Sequence, residues 1–439
     1  MRYIPLVTAL FSTLSVAAQS YDSPATVAID RDAPRSEIIA YPSQQEALTF
    51  GHAASRYLRP VADWQELKSE SGRTLTGEFS MPFAWIDREI FLHIASAGSS
   101  YEVTLNGKRA GYVQDGATPA EFDVTKLTVE GKNRVSVTLF TPAVADVLQR
   151  SPEANPTLGA CYVMAQPKMR VRDVVVNSSM TDDGSSGVLE LGIVMKTHTL
   201  NPKTTRVYYE LIAPDSTKVL DGYKDLTLDM RREDTVRLMQ VVPRSQMWSA
   251  EQPNRYTLLV KTRFEGRINE YVPVKVGFRT VAAEQGKLLI NGEPVELRIQ
   301  ELTAEQQSGE LDTLKKLGYN TLRLPSGRLA RELLNRCDSL GFYVIDQLPI
   351  DTSRAGMSRK QGGNPSNDPQ WLDAYLDRTQ QHYHAVKRHP SIVAFSLARE
   401  SANGINLYES YLRLKELESD RPVIYTESGS EWNSDRLDL

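Results

Sequence analysis

Three glutamates stand just past short apolar runs in the C-terminal part of the sequence: Glu301 in RIQELT, Glu400 in SIVAFSLARES and Glu427 in VIYTE. Carboxyl groups gathered on one rim can divide the work of acid, base and nucleophile. Arg399 directly precedes Glu400. A guanidinium turned to the same side stabilises an ionised carboxylate, whereas a proton donor has to be neutral. His382, His384 and His389 raise the question of a metal. The first two are two residues apart on a helical stretch and face different sides, so they make poor joint ligands. All three read as structural or solvated. Cys161 and Cys337 lie in segments of different periodicity, the second at core spacing on a helix, and read as two buried thiols rather than a disulfide.

The elements that must position these residues follow from periodicity. After Gly286 strands alternate with helices. LLING and EPVELRI lead to a helix through Leu311, Leu314 and Leu317, stopped at Gly318, and TLRLP follows as a strand. Leu329, Leu333, Cys337 and Leu340 mark the next helix, ending at Gly341 before the strand FYVID. Asp368-Pro369 opens a further helix after the polar loop Ser353 to Asn367. SIVAFSLA and VIYTE are strands, with a helix through Tyr408, Leu412 and Leu417 between them. Such alternation predicts a parallel sheet, the first part of a (β/α) barrel, whose strand carboxyl ends are where reactive groups sit.

Upstream the period is two. FLHIASAG, YEVTLNGKRAGYV and RVSVTLF predict a jelly-roll sandwich, with Asn106-Gly107 as a hairpin turn. VLELGIVMK, RVYYELIAP, DTVRLMQVV and RYTLLVKT predict a second, immunoglobulin-like sandwich. The expected organisation is a multidomain β plus α/β chain: a signal peptide over 1–18, a jelly roll over 19–165, an immunoglobulin-like sandwich over 166–280 and a partial barrel of about five strands over 281–439. Trp85 and Tyr112 are either stacking platforms of the jelly roll or parts of its core.

The net charge of -4 and a pI near 6.0 leave no electrostatic footprint for nucleic acid or an anionic membrane. Arg170/Arg172 and Arg231/Arg232 read as solvated strand edges. MRYIPLVTALFSTLSVAAQS has the charge, apolar run and small residues of a secretory signal, with the mature chain starting near Gln19. No cysteine marks the cleavage site for a lipid anchor, and no stretch approaches the ~20 apolar residues of a transmembrane helix. Export is therefore expected, to a periplasmic, outer-membrane-associated or secreted location.

Segments of all three domains resemble family 2 glycoside hydrolases, β-galactosidases in particular. SEIIAYPSQQEAL and GYVQDGATPAEFDVTKL resemble the family's entry segment and sugar-binding jelly roll. MWSAEQPNRYTLLVKT and VGFR followed by GKLLINGEPV resemble the end of its sandwich and the passage to its barrel. NRCDSLGFYVIDQ, NDPQWLDAY and RHPSIVAFSLARES resemble the third strand, third helix and fourth strand of that barrel.

The resemblance implies that Glu400 occupies the acid/base position of a retaining glycosidase, in which two carboxyl groups stand ~5 Å apart. Arg399 replaces the family asparagine that holds a sugar hydroxyl. The strand-one Arg-His-Glu-His aligns with RIQELT, leaving Glu301 without histidine, and Leu324-Pro325-Ser326 replaces the His-Tyr-Pro after strand two. The metal-binding Glu and His after strand three become Asp351 and Ser353 in DQLPIDTS. Asp351 remains the one candidate for Mg²⁺, and no cofactor is assigned. In TPAVADVLQRSPEANPT the acidic motif that the family's first domain lends to the active site has no match.

The segment from 281 to 439 is shorter than the ~250 residues of a complete eight-stranded barrel. Strands six to eight, and the nucleophile with them, are expected to be missing. The sequence thus reads as an exported, catalytically inactive homologue that binds carbohydrate or serves as an assembly subunit. A second copy or another protein, or the chain's own first domain, would cover the open barrel edge. The alternative is a residual β-galactosidase-like glycosidase with Glu400 as acid/base and with Arg399, Glu301 and Glu427 near the substrate.

Overall fold

In Tyr101–Leu105 every second side chain is buried, and the strand pairs with Lys108–Val113 across Asn106-Gly107, both at positive φ (52° and 77°). That is the hairpin that two residues tolerant of left-handed backbone permit. The computed structural model describes residues 23–49, 55–69, 72–141, 143–149, 156–303, 310–327, 331–426, 431 and 433–438. The expected signal segment 1–18, Leu329 and Glu427 lie outside the described residues.

The hairpin belongs to a six-stranded antiparallel sheet that faces a four-stranded one, Leu58–Pro60, Cys161–Gln166, Glu89–Ile94 and Ala120–Asp123. Trp85, Ile90, Leu92, Val103, Phe122 and Val137 fill the space between them. Trp85 and Tyr112 are fully buried, so the stacking-platform reading fails and core packing holds.

The second domain pairs a three-stranded sheet (Met169–Met180, Ser186–Thr197, Glu233–Pro243) with a four-stranded one. Arg231 and Arg232 are exposed as expected, but Arg170 and Arg172 are buried, at 2% and 8% exposure. The strand that carries them starts beneath the jelly roll. Arg170 lies 4.5 Å from the Phe91 ring centroid, and Arg172 donates to the Ala33 carbonyl at 2.7 Å. Burial pushes the Arg170 guanidinium down to about 10.

The third domain holds a parallel sheet, numbered from its first strand: β1 Ile299–Glu301, β2 Thr321–Arg323, β3 Tyr343–Gln347, β4 Ile392–Ser396 and β5 Val423–Ile424, in that spatial order. Its helices are α1 Leu311–Lys316, α2 Arg331–Leu340, α3 Leu372–Val386 and α4 Ile405–Leu417. Strands β3, β4 and β5 are buried along their whole length, as covered parallel strands are, whereas β1 has no buried residue. Leu322, Val344, Ile392, Phe395 and Val423 join the helix-side core, while Ile345, Ala394 and Ile424 pack together on the opposite face.

Gly341 ends α2 at φ +77°, and a Cβ there would stand 2.2 Å from the Ala250 carbonyl oxygen. Leu317 is 69% exposed because α1 closes at Lys316, and on α4 the buried face is Leu407, Ser410 and Leu414 rather than the Tyr408–Leu412–Leu417 stripe. Both cysteines are free and buried.

The chain covers much of this domain itself. Helix α3 is clasped by Arg31 on Asp377 and by Asp115 on Arg378 (3.2 Å), both from the jelly roll, and by Asp173 of the second domain on Lys387 (2.6 Å). Residues 433–438 run beside β5: the Asp435 amide donates to the Val423 carbonyl at 2.7 Å, and its carboxylate accepts from the Val423 amide at 2.8 Å. No helix among the described residues is long and apolar enough to cross a membrane.

Candidate functional site

The parallel strands deliver their last residues to one rim. Glu301 closes β1, Arg323 closes β2, Gln347 closes β3, and Arg399 and Glu400 follow β4 by three and four residues. The Arg399 Nη2 donates to Glu301 Oε2 at 2.9 Å, and its Nε lies 3.7 Å from Glu400 Oε1. Arg323 adds a second cation, 3.7 Å from the other Glu301 oxygen. The sequence-predicted Glu301, Arg399 and Glu400 are therefore brought together.

Glu400 has φ +49°, a left-handed conformation rare for a residue with a side chain. Such backbone costs about 1–3 kcal/mol and persists only where the surroundings fix it. Here the next residue is fastened twice. Ser401 Oγ accepts from the Thr352 amide at 2.9 Å, and the Ser401 carbonyl accepts from the Tyr425 hydroxyl. The Glu400 and Glu301 side chains are nearly half exposed, at 45% and 48%.

Asp351 is buried, and one oxygen accepts from both the Ser353 amide (3.1 Å) and hydroxyl (2.6 Å). No pair of other Asp, Glu, His or Cys ligand atoms converges on it among the described residues. Its oxygens serve a local turn, and they fit an Mg²⁺ site poorly.

The three histidines each have a structural partner. His382 Nε2 lies 2.7 Å from Asp346 Oδ2, His389 Nδ1 2.7 Å from Asp338 Oδ2, and His384 Nδ1 3.1 Å from the Lys387 amine. Burial opposes protonation of His382, but Asp346 outweighs it and raises its pKa. Burial and the Lys387 charge push His384 down to about 4.

Sequence reasoning missed several neighbours. Gln347 is buried at the rim with neither amide atom hydrogen-bonded to protein. Its place as the last residue of an apolar strand was the available signal. Beside the loop after Glu400, Arg359, Asn403, Glu431, Asn433 and Tyr408 line a polar hollow of about 240 Å³. There Glu431 accepts two bonds from Arg359 (2.8 and 3.0 Å) and one from Asn403 (2.8 Å). The Val144–Leu148 turn of the jelly roll packs into the helix-side core of the parallel sheet, and its Leu148 carbonyl accepts from the Asp351 amide at 3.0 Å. A much larger cleft, about 1170 Å³, lies on the helix side of the third domain and away from this rim. The reactive groups are at the rim.

Three family models match the chain: "Glycosyl hydrolases family 2, sugar binding domain" over residues 14–151, "Glycosyl hydrolases family 2" over 169–279 and "Glycosyl hydrolases family 2, TIM barrel domain" over 291–438. A β-galactosidase of Priestia megaterium is 28% identical over 418 residues, which cover 90% of this chain and 39% of that protein. A β-galactosidase of Streptococcus thermophilus is 25% identical, over 84% of this chain and 37% of its own length. The chain thus spans about two fifths of the length of these curated relatives. Among solved structures, Bacteroides uniformis β-glucuronidase 2 covalently bound to cyclophellitol-6-carboxylate aziridine superposes with a TM-score of 0.72 at 16% identity, covering 90% of this chain and 52% of that one. A putative β-galactosidase from Bacteroides fragilis gives 0.70 at 16% identity, covering 84% and 58%. At these identities the superpositions speak for the fold.

Proposed function

On the premise that this chain belongs to glycoside hydrolase family 2, we propose that it is an exported member that engages carbohydrate or a protein partner without cleaving glycosidic bonds. The observation that carries this reading is the Arg399 bridge, 2.9 Å to Glu301 and 3.7 Å to Glu400. In the family pattern an asparagine at this place holds a sugar hydroxyl. The guanidinium is directed to two carboxylates instead, and it offsets the charge of the rim where an acid and a second carboxyl group would have to act separately. Export rests on the leader-like segment 1–18. Association with a second copy or another protein, burying at least ~1,000 Å², is part of the proposal, with the outer edge of β1 as the place for it.

The test is turnover of a panel of aryl β-galactosides, β-glucosides and β-glucuronides, beside calorimetric titration of the same sugars. Binding without turnover supports the proposal. Turnover that disappears in Glu400→Gln overturns it in favour of a working β-glycosidase. That second reading draws on the left-handed Glu400, held at the rim by Thr352 and Tyr425 through Ser401, and on the β-galactosidase relatives.

A further inference from the structure

Glu89 and Asp123 stand on neighbouring antiparallel strands of the jelly roll, Glu89–Ile94 and Ala120–Asp123, where Asp123 lies opposite Phe91. Glu89 is two residues before Phe91, so both carboxylates leave the same face of the sheet. That face is turned to the second domain, whose Arg170 covers the Phe91 ring. The second-domain strand Ser186–Thr197 is followed directly by His198, and the His198 amide donates to the Lys168 carbonyl at 2.8 Å, which fixes where the ring enters. One ligand atom from each of Glu89, Asp123 and His198 lies within 4.8 Å of the other two, the sole such group of three among the described residues.

A simple pair accounts for two of the three: His198 Nδ1 lies 2.7 Å from Glu89 Oε2. Asp123 is not needed for that pair, yet it is fixed beside it. Its Oδ1 accepts from the Thr125 amide (3.0 Å) and hydroxyl (2.6 Å), and the same hydroxyl stands 3.4 Å from Glu89 Oε2. Asp123 Oδ2 and Glu89 Oε1 take no hydrogen bond from the described residues. Burial disfavours charge on Glu89, but His198, then Arg170 and Lys168, outweigh it and lower its pKa, so the carboxylate is ionised at neutral pH.

Two carboxylates and an imidazole are the mixed oxygen and nitrogen set that suits Zn²⁺, whereas Mg²⁺ and Ca²⁺ prefer oxygen alone. Around a tetrahedral ion with bonds of about 2.0–2.1 Å, ligand atoms stand about 3.4 Å apart. The His198–Glu89 contact then has to open by about 0.7 Å, and Asp123 to close by at most ~1.4 Å. Asp123 is exposed and the His198 side chain is 27% exposed, so both have room to turn, and a fourth position faces water. Arg170 and Lys168 repel an ion here, and the two carboxylate charges counter them.

We propose that Glu89, Asp123 and His198 bind one divalent transition-metal ion of the Zn²⁺ type, with water as the fourth ligand, and that the ion fastens the jelly roll to the second domain. The ion takes the place of the contact between His198 Nδ1 and Glu89. Binding weakens at acid pH, where a proton occupies the imidazole nitrogen. The proposal is independent of whether the rim cleaves sugars.

The full chain, free of any affinity tag, is titrated calorimetrically with zinc chloride and separately with magnesium chloride near neutral pH, and its Tm is read with and without each ion. The expected result is one Zn²⁺ per chain and a higher Tm with Zn²⁺, with neither effect for Mg²⁺. Asp123→Asn and His198→Gln should each weaken Zn²⁺ binding at least tenfold and remove the rise in Tm. Asp123 is exposed, so its substitution preserves the fold and gives the same readout should His198→Gln melt early. Repeating the titration at mildly acid pH should give a lower affinity. No Zn²⁺ binding, or binding that neither folded variant weakens, as at a histidine elsewhere, overturns the proposal.

Discussion

Arg399 and Glu301 meet at 2.9 Å although they are 98 residues apart, because the first and fourth strands of a parallel sheet end on the same rim. The contact joins the residue proposed to stand in place of the family asparagine to the acidic residue proposed to remain from the strand-one motif. Arg399→Asn should leave Glu301 to Arg323 alone and supply a neutral amide for a sugar hydroxyl. We expect galactoside affinity, read by calorimetry, to rise about tenfold, equal to ~1.4 kcal/mol. An unchanged affinity would show that Arg399 does not obstruct the rim.

Glu270 gives a pH signature. It is fully buried, and its Oε1 accepts from the Val171 amide (2.7 Å) and the Thr262 hydroxyl (3.3 Å). Burial raises its pKa to about 7, against opposing effects of the Val171 amide, Arg88 and Arg170. The folded chain therefore keeps a proton that the unfolded chain releases near 4.5. The stability associated with that proton is present below pH 4.5 and is lost as the pH rises to 7, by up to about 3 kcal/mol. Glu270→Gln should remove this part of the slope between pH 5 and 8 in thermal melts.

Asp338 anchors α2 to the turn before β4. Its carboxylate accepts from His389 Nδ1 (2.7 Å), the Ser391 amide (3.1 Å) and the Ser391 hydroxyl (2.6 Å), and its carbonyl accepts from the Trp248 indole at 3.0 Å. Asp338→Ala leaves the Trp248 bond to the main chain in place but removes the partner of His389 Nδ1 and of the Ser391 amide and hydroxyl. A loss of about 3–5 kcal/mol in urea unfolding is expected.

Gly341→Ala should also destabilise, by more than ~2 kcal/mol. The residue is left-handed, and its added methyl would meet the Ala250 carbonyl at 2.2 Å. Gly107→Ala is the control: φ is +77° there too, but no atom lies within 4 Å, so only the backbone cost of about 1 kcal/mol applies.

Most of the fold was legible because the alternation of period two and then period 3.6 reports which face of each element is covered. The failures came where a second domain supplied the cover. Arg170 and Arg172 look like a solvated strand edge, and their burial depends on Phe91 and Ala33, far away in sequence. The stripe on α4 is the exception, since that helix packs on α3 and the Pro365–Asn367 turn of its own domain: Ser410 is buried there and Leu412 is 37% exposed, which hydrophobicity alone reverses. At the rim, Glu301, Arg399 and Glu400 could be placed together because each follows a recognisable strand. Gln347 was hidden by its own strand, and the Arg359–Glu431 pair by a loop whose course no periodicity records.

The run of 433–438 beside β5 turns an edge into a contested berth. Val423 has one amide and one carbonyl to offer, and Asp435 holds both. Any segment that extends the sheet there, from this chain or another, must first evict Asp435. Its apparent affinity is then scaled by the fraction of time the berth stands open. Occupancy of that edge is thus a competition, decided by how firmly six residues of the chain's own backbone stay in place.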